Sequence, residues 1–262
     1  MGALRLYAVE VGEGPPVVIL HGLFGSARNW VTIARRLAAS GRRVIAADLR
    51  NHGDSPHDAR MDYAAMAEDV ACLIEERAGG RAAVVGHSMG GKAAMVLALT
   101  RPALVERLVV VDIAPVAYRA TLGAYASALR ALPLRFGMRR AEADALLAET
   151  VRDPAERAFL LQNLVFDADG APRWKPNLAA IEANMPLIAA FPELPRHARY
   201  DGPVLMVRGE RSTYVRPEHY EATLALFPRA VFVTVPGAGH WVQAEAPEAF
   251  LRAVEPFLAL DA

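Results

Sequence analysis

Gly86-His87-Ser88-Met89-Gly90 sets a serine between two glycines, after the apolar run Ala82-Ala83-Val84-Val85 and before a helically spaced stretch from Lys92 to Thr100. G-x-S-x-G between a strand and a helix is the nucleophile elbow, a strained turn that lifts the hydroxyl above a sheet. In such a turn a side chain at Gly86 or Gly90 would collide with the neighbouring strand or helix. The following helix points its N-terminus at the hydroxyl and favours developing negative charge there. A serine hydroxyl is a weak nucleophile near neutral pH and needs a base. Among seven histidines, His240 stands in Pro236-Gly237-Ala238-Gly239-His240-Trp241, between the run Val231 to Val235 and a helical stretch from about Pro247 to Leu258. His57, His197 and His219 fall in polar contexts and are expected to be solvated. His21 and His52 belong to loop motifs, and His87 is expected to point away from the serine. His240 is the expected base.

A base of this kind is held in its useful tautomer by a carboxylate, which also stabilises the imidazolium. In chains built on this elbow the carboxylate commonly follows the run Val204 to Val207. Here that segment reads Arg208-Gly209-Glu210-Arg211-Ser212, with Ser212 where an aspartate is expected. A serine carries no charge, so two carboxylates compete: Asp112, at the end of Leu108-Val109-Val110-Val111-Asp112, and Glu210. Ser212 is expected to assist, bridging Asp112 and His240 by hydrogen bonds. Two backbone N–H groups must also face the carbonyl oxygen of a substrate. Met89 supplies one, and the loop His21-Gly22-Leu23-Phe24-Gly25-Ser26 the other, through Leu23 or, second, Phe24. Apolar side chains beside the site, Phe24 and Trp241, are the substrate-pocket candidates. Asp48 to Ser55 is expected to brace the neighbouring loop.

These residues have to be held by a frame. The apolar runs Val17 to Leu20, Val44 to Ala47, Ala82 to Val85, Leu108 to Val111, Val204 to Val207 and Val231 to Val235 lack alternation. That pattern suits strands buried on both faces of a parallel sheet. Helical stretches lie between most of them, at Trp30 to Ala39, Tyr63 to Glu76 and Lys92 to Thr100, which predicts a doubly wound α/β architecture. Leu4 to Val11 alternates and predicts an antiparallel edge. From Pro115 to Arg199 no strand run is evident. Helical candidates there are Thr121 to Leu132, Arg140 to Val151, Pro154 to Leu164 and Pro176 to Ala190, punctuated by prolines. The expected division is therefore a core of residues 1–114 and 200–262 with a helical cap at 115–199. A cap would lie over the C-terminal edge of the sheet, where open α/β sheets place their sites.

The 262 residues carry 29 basic and 29 acidic side chains, so nothing points to a nucleic acid as partner. Only two of the basic residues are lysines, Lys92 and Lys175. No apolar run reaches the length of a membrane span, and the first residues do not read as a signal peptide. Cys72 is the single cysteine and is expected to be a small buried thiol, which permits a reducing compartment. A cytoplasmic protein is the expectation.

Taken together, HGLFGS at 21–26, RNHGDSP at 50–56, GHSMGGKAAM at 86–95, DIAPVAY at 112–118, RSTYV at 211–215 and GAGHWVQAE at 237–245 resemble α/β-hydrolases, and more narrowly the YbfF-like esterases. The resemblance implies an α/β-hydrolase fold, a mostly parallel twisted sheet flanked by helices with a helical cap insertion. It implies Asp112 as the acid, with Ser212 assisting. It also implies hydrolysis of short acyl esters or acyl thioesters, a small-molecule partner, through an acyl-enzyme on Ser88. The chemistry requires no cofactor or metal. A C–C bond hydrolase or perhydrolase would use the same triad, and the fold can also serve as a small-molecule receptor.

Overall fold

Successive side chains of a strand point to opposite faces of its sheet, and here both faces are apolar. Val17, Ile19, Val44, Ala46, Val109 and Val111 face one way and pack with Trp30, Ile33, Leu37, Phe250 and Val254. Val18, Leu20, Ile45, Val84, Leu108 and Val110 face the other way and pack with Met66, Val70, Ile74, Met95 and Leu99. This two-sided burial is why the inner strand runs lack alternation; Val231 to Val235 departs from the expectation, lying at the sheet edge with Val231 59% exposed. The computed structural model describes residues 2–118, 123–195 and 197–259.

The strands of the main sheet are β1 (Ala8–Val11), β2 (Pro16–Leu20), β3 (Arg43–Ala47), β4 (Ala82–His87) and β5 (Val105–Val111), followed after a long interval by β8 (Val204–Gly209) and β9 (Ala230–Val235). Their order is β1-β3-β2-β4-β5-β8-β9. All neighbours are parallel except β1, which runs antiparallel to β3 as the edge strand. The predicted edge is real but shorter than Leu4 to Val11. Helices α1 (Val31–Ala39) and α11 (Pro247–Ala259) cover one face; α2 (Tyr63–Arg77) and α3 (Met89–Thr100) cover the other. Between β8 and β9 lies α9 (Tyr220–Leu226), and α10 (Val242–Glu245) leads into α11. No helix among the described residues is long and apolar enough to cross a membrane.

Between β5 and β8 the chain forms α4 (Gly123–Ala131), α5 (Arg140–Leu147), α6 (Pro154–Leu161), α7 (Leu178–Ala183) and α8 (Met185–Ala189). The start of the first predicted helix, Thr121 and Leu122, lies outside the described residues. Two expectations fail in this interval. The stretch Pro176 to Ala190 divides at Asn184 into α7 and α8, because Pro186 brings no N–H to the helical ladder. A hairpin is also present, β6 (Leu164–Phe166) with β7 (Pro172–Trp174). Three-residue strands are too short to show a period in sequence, and only the turn at Asp167 to Gly170 announces them.

Close approach, more than composition, seats α3 on the sheet. A Cβ at Gly90 would lie 2.5 Å from the His21 carbonyl oxygen and 2.6 Å from that of Leu20, at the end of β2. One at Gly86 would lie 2.4 Å from the Gly90 carbonyl oxygen. The motif glycines thus let β4, its turn and α3 pass within backbone contact of β2. Gly90→Ala is expected to lower stability by about 1–3 kcal/mol, the usual cost of overpacking a close contact. Chemical denaturation measures it, and an unchanged midpoint would contradict the contact.

Candidate active site

Two non-glycine residues with positive φ stand at adjacent strand ends, Ser88 after β4 (φ 52°) and Asp112 after β5 (φ 52°). Such backbone costs of order 1–3 kcal/mol per residue and persists where surroundings over-determine it. The parallel ladder does so here. Ser88 N–H donates to the Val111 carbonyl at 3.0 Å, and Asp112 N–H to the Val207 carbonyl at 2.8 Å. Both residues are therefore pinned to the next strand as their side chains leave the sheet.

The Asp112 carboxylate is fully buried. Its Oδ1 accepts from Gly209 N–H at 3.1 Å. Its Oδ2 accepts from His240 Nδ1 at 2.7 Å and also from the Ser212 hydroxyl. Of the two carboxylates left open by the sequence, this one meets the histidine. Glu210 is exposed and accepts from Gly237 N–H at 2.8 Å, bracing the loop before His240. Ser212 bonds the carboxylate without bridging it to the imidazole, because Asp112 reaches His240 directly. Since Nδ1 donates, the free lone pair of His240 is on Nε2. Tyr214 stacks on the ring, with centroids 3.9 Å apart and planes 19° apart.

His240 is also held from behind. Its carbonyl accepts from His87 Nε2 at 2.9 Å, and the two rings lie 4.7 Å apart. Burial, and secondarily the neighbouring His240, push the His87 pKa well below its ordinary value, so this ring stays neutral beside the site. His219 corrects the expectation of a solvated ring: it is buried, with Nδ1 donating to the Tyr214 carbonyl at 3.0 Å. His57 and His197 are exposed as expected. Cys72 is half-buried, not enclosed.

The loop after β2 is fixed by two further imidazoles. His21 Nε2 accepts from Leu49 N–H at 2.9 Å, and His52 Nε2 accepts from Phe24 N–H at 3.1 Å. Their Nδ1 atoms donate to the carbonyls of Gly22 and Arg50. The Phe24 N–H is thus already engaged, which leaves Leu23 as the loop's available donor. Phe24 itself has φ 61°, and its carbonyl accepts from Asn163 Nδ2 at 2.8 Å. Met89 is the first residue of α3, where the helix leaves its own N–H unsatisfied. The segment Asp48 to Ser55 is the brace foreseen. Asp48 accepts from Ala27 N–H and Asp54 N–H at 2.7 Å each, and Arg50 grips Asp69 in a buried bidentate pair at 2.7 and 2.8 Å.

Two narrow pockets meet at Ser88. One is lined by Leu23, Phe24, His240, Trp241, Tyr125 and Phe159. The other is lined by Leu23, Met89, Lys92, Tyr118, Met185 and Tyr214, among others. Both expected pocket residues, Phe24 and Trp241, fall in the first. Lys92 is a lining residue that the sequence reading passed over.

A seven-stranded, mostly parallel sheet with a serine elbow at its centre and a buried carboxylate-histidine pair beside it is the architecture of α/β hydrolases, and the chain belongs to that family. The model of the alpha/beta hydrolase fold matches residues 15–247. The mouse protein named sn-1-specific diacylglycerol lipase ABHD11 is 43% identical over 252 residues, covering 94% of this chain and 81% of its own. Esterase YbfF of Escherichia coli is 36% identical over 244 residues, covering 93% and 92%. Among solved structures, one titled marine microorganism esterase superposes with a TM-score of 0.94 at 36% identity, covering 98% of this chain and all of its own.

The buried imidazoles make the site acid-sensitive. Burial is the main cause that holds His21 at about 4 and His52 at about 3, against an ordinary 6.5. The unfolded chain takes up these protons below pH 6.5 and the folded chain does not. Stability is therefore complete above about pH 6.5 and falls as pH drops toward 4, by about 1.4 kcal/mol per pH unit for each ring. Urea unfolding at pH 7 and pH 5 should show this loss, and His21→Gln with His52→Gln should reduce it, leaving the share of His87, which is also buried and neutral. Equal stability at both pH values in the parent would contradict it.

Proposed function

We propose that this chain is a serine esterase that cleaves carboxylic esters or acyl thioesters through an acyl-enzyme on Ser88, with His240 as base and Asp112 as its orienting acid. The observation that carries this reading is the 2.7 Å bond to the fully buried Asp112 from Nδ1 of His240, a residue that lines the pocket holding Ser88. Names of relatives as esterases and a lipase support the substrate class. In the proposed mechanism His240 Nε2 takes the proton of Ser88 as the oxygen attacks the carbonyl carbon. Negative charge develops on the carbonyl oxygen and is met by the N–H groups of Leu23 and Met89. Collapse of the tetrahedral intermediate breaks the bond to the leaving oxygen or sulfur, which receives the proton from His240. Water then attacks the acyl-enzyme with the same base and restores Ser88. Asp112 and the stacked Tyr214 ring favour the imidazolium formed on the way.

The proton route also divides the pockets. The leaving group must be within reach of His240, so it takes the pocket of Phe24, Phe159 and Trp241. The acyl group takes the Lys92 side. On the same reading residues 115–199 are a cap, since Tyr125, Phe159 and Met185 come from α4, α6 and α8 and complete both pockets. Ser88→Ala should abolish turnover of a p-nitrophenyl ester, and Asp112→Asn should lower kcat on the order of 10⁴-fold. Ser212→Ala, which removes one hydrogen bond to the acid, should lower it roughly tenfold. Near-normal activity in Asp112→Asn together with loss in Glu210→Gln would overturn the assignment of the acid.

A further inference from the structure

Lys92 lies one helical turn after Ser88 on α3 and is 2% exposed. Its Nζ donates to the carbonyls of Ala189 at 2.9 Å and Ala190 at 2.7 Å, at the end of α8. The rings of Tyr118 and Tyr63 flank it, with centroids at 4.9 and 5.6 Å. All of these partners are neutral, and no ion pair to Lys92 occurs among the described residues. A charge this deep is ordinarily paired, because an uncompensated ion loses its hydration without recompense. An ammonium also has three N–H donors, and the two carbonyls use two. A tether for α8 alone would be served by an amide or hydroxyl that stays neutral, whereas an amine here can take up a charge when an anion enters the pocket. Lys175, the other lysine, shows the usual arrangement: it is paired with Asp54 at 2.7 Å.

The pocket that Lys92 lines also contains Ser88 and Met89. A group bonded at Ser88 and extending along it meets Tyr118, Met185 and the lysine. Resting on the esterase reading above, we propose that Lys92 is a specificity-determining residue whose ammonium receives a carboxylate at the far end of the acyl group. The preferred substrates are then half-esters or half-thioesters of short dicarboxylic acids. The missing counter-charge is the substrate's own, and the apolar walls carry the intervening methylenes. Burial alone draws the Lys92 pKa down to about 7 in the unliganded protein, as expected of an amine with no anion beside it. A bound carboxylate would restore the charged form.

Hydrolysis of monomethyl succinate and of its uncharged counterpart, methyl pentanoate, provides the test, with acid release followed on the whole protein. The expected kcat/KM favours monomethyl succinate by about tenfold or more, the range for a hydrogen bond between buried charged groups. In Lys92→Met, which keeps the length of the side chain and removes its charge, that ratio should fall below one. Succinate should inhibit the wild type competitively at least about tenfold more tightly than pentanoate, a comparison independent of how the variant folds. Preference for methyl pentanoate in the wild type, an unchanged ratio in a folded Lys92→Met protein, or equal inhibition by the two acids overturns the role of Lys92 and leaves the esterase standing. Cleavage of neither ester, nor of p-nitrophenyl acetate, overturns both.

Discussion

The site rests on two residues held in left-handed backbone at the ends of neighbouring parallel strands. Ser88 leaves β4 and Asp112 leaves β5, each with φ 52° and each tied by its N–H to the next strand over. A regular strand would alternate side chains into the layers above and below the sheet. The left-handed turn instead lifts both functional groups out at the edge. The strain is offset by the sheet, whose central strands are apolar on both faces and carry the two buried helix layers. Shifting the register of β4 against β5 would separate Ser88 from Asp112, so the hydrophobic core also sets the spacing of the two side chains that the proposed mechanism uses.

Much of this was legible in the residues. The elbow announced itself because its glycines answer a steric demand, and the close approaches at Gly86 and Gly90 are that demand in coordinates. His240 was legible from its place between the last strand and the last helix. The acid was harder, since spacing left both Asp112 and Glu210 open. Only the fold brings β5 beside β8, which sets Asp112 against His240 and turns Glu210 outward to Gly237. Ser212 shows the same limit: its hydroxyl is at the acid, yet it bonds the carboxylate rather than linking it to the ring.

What escaped the sequence did so for local reasons. The β6–β7 hairpin has three residues per strand, below the length at which a period can be seen. The break at Asn184 depends on one proline inside an otherwise helical stretch. His219 reads as polar surface, but its ring turns inward to the Tyr214 carbonyl. Lys92 carried a faint signal, being one of two lysines in an arginine-rich chain and four residues past the nucleophile. Its burial against α8 depends on long-range packing that periodicity does not encode.

On the proposed reading the histidines divide into one base, His240, and three buried rings that fix the backbone around it. His21 and His52 lock the loop that carries Leu23, and His87 braces the His240 backbone. Keeping these neutral by burial leaves His240 as the ring beside Ser88 with a carboxylate partner and a free nitrogen. The most direct measurement of this account is covalent labelling by a sulfonyl fluoride, with the modified residue located by peptide mass spectrometry. One adduct is expected, on Ser88, lost in Asp112→Asn to the same degree as turnover. A label on another residue, or no label on a fully folded protein, would contradict it.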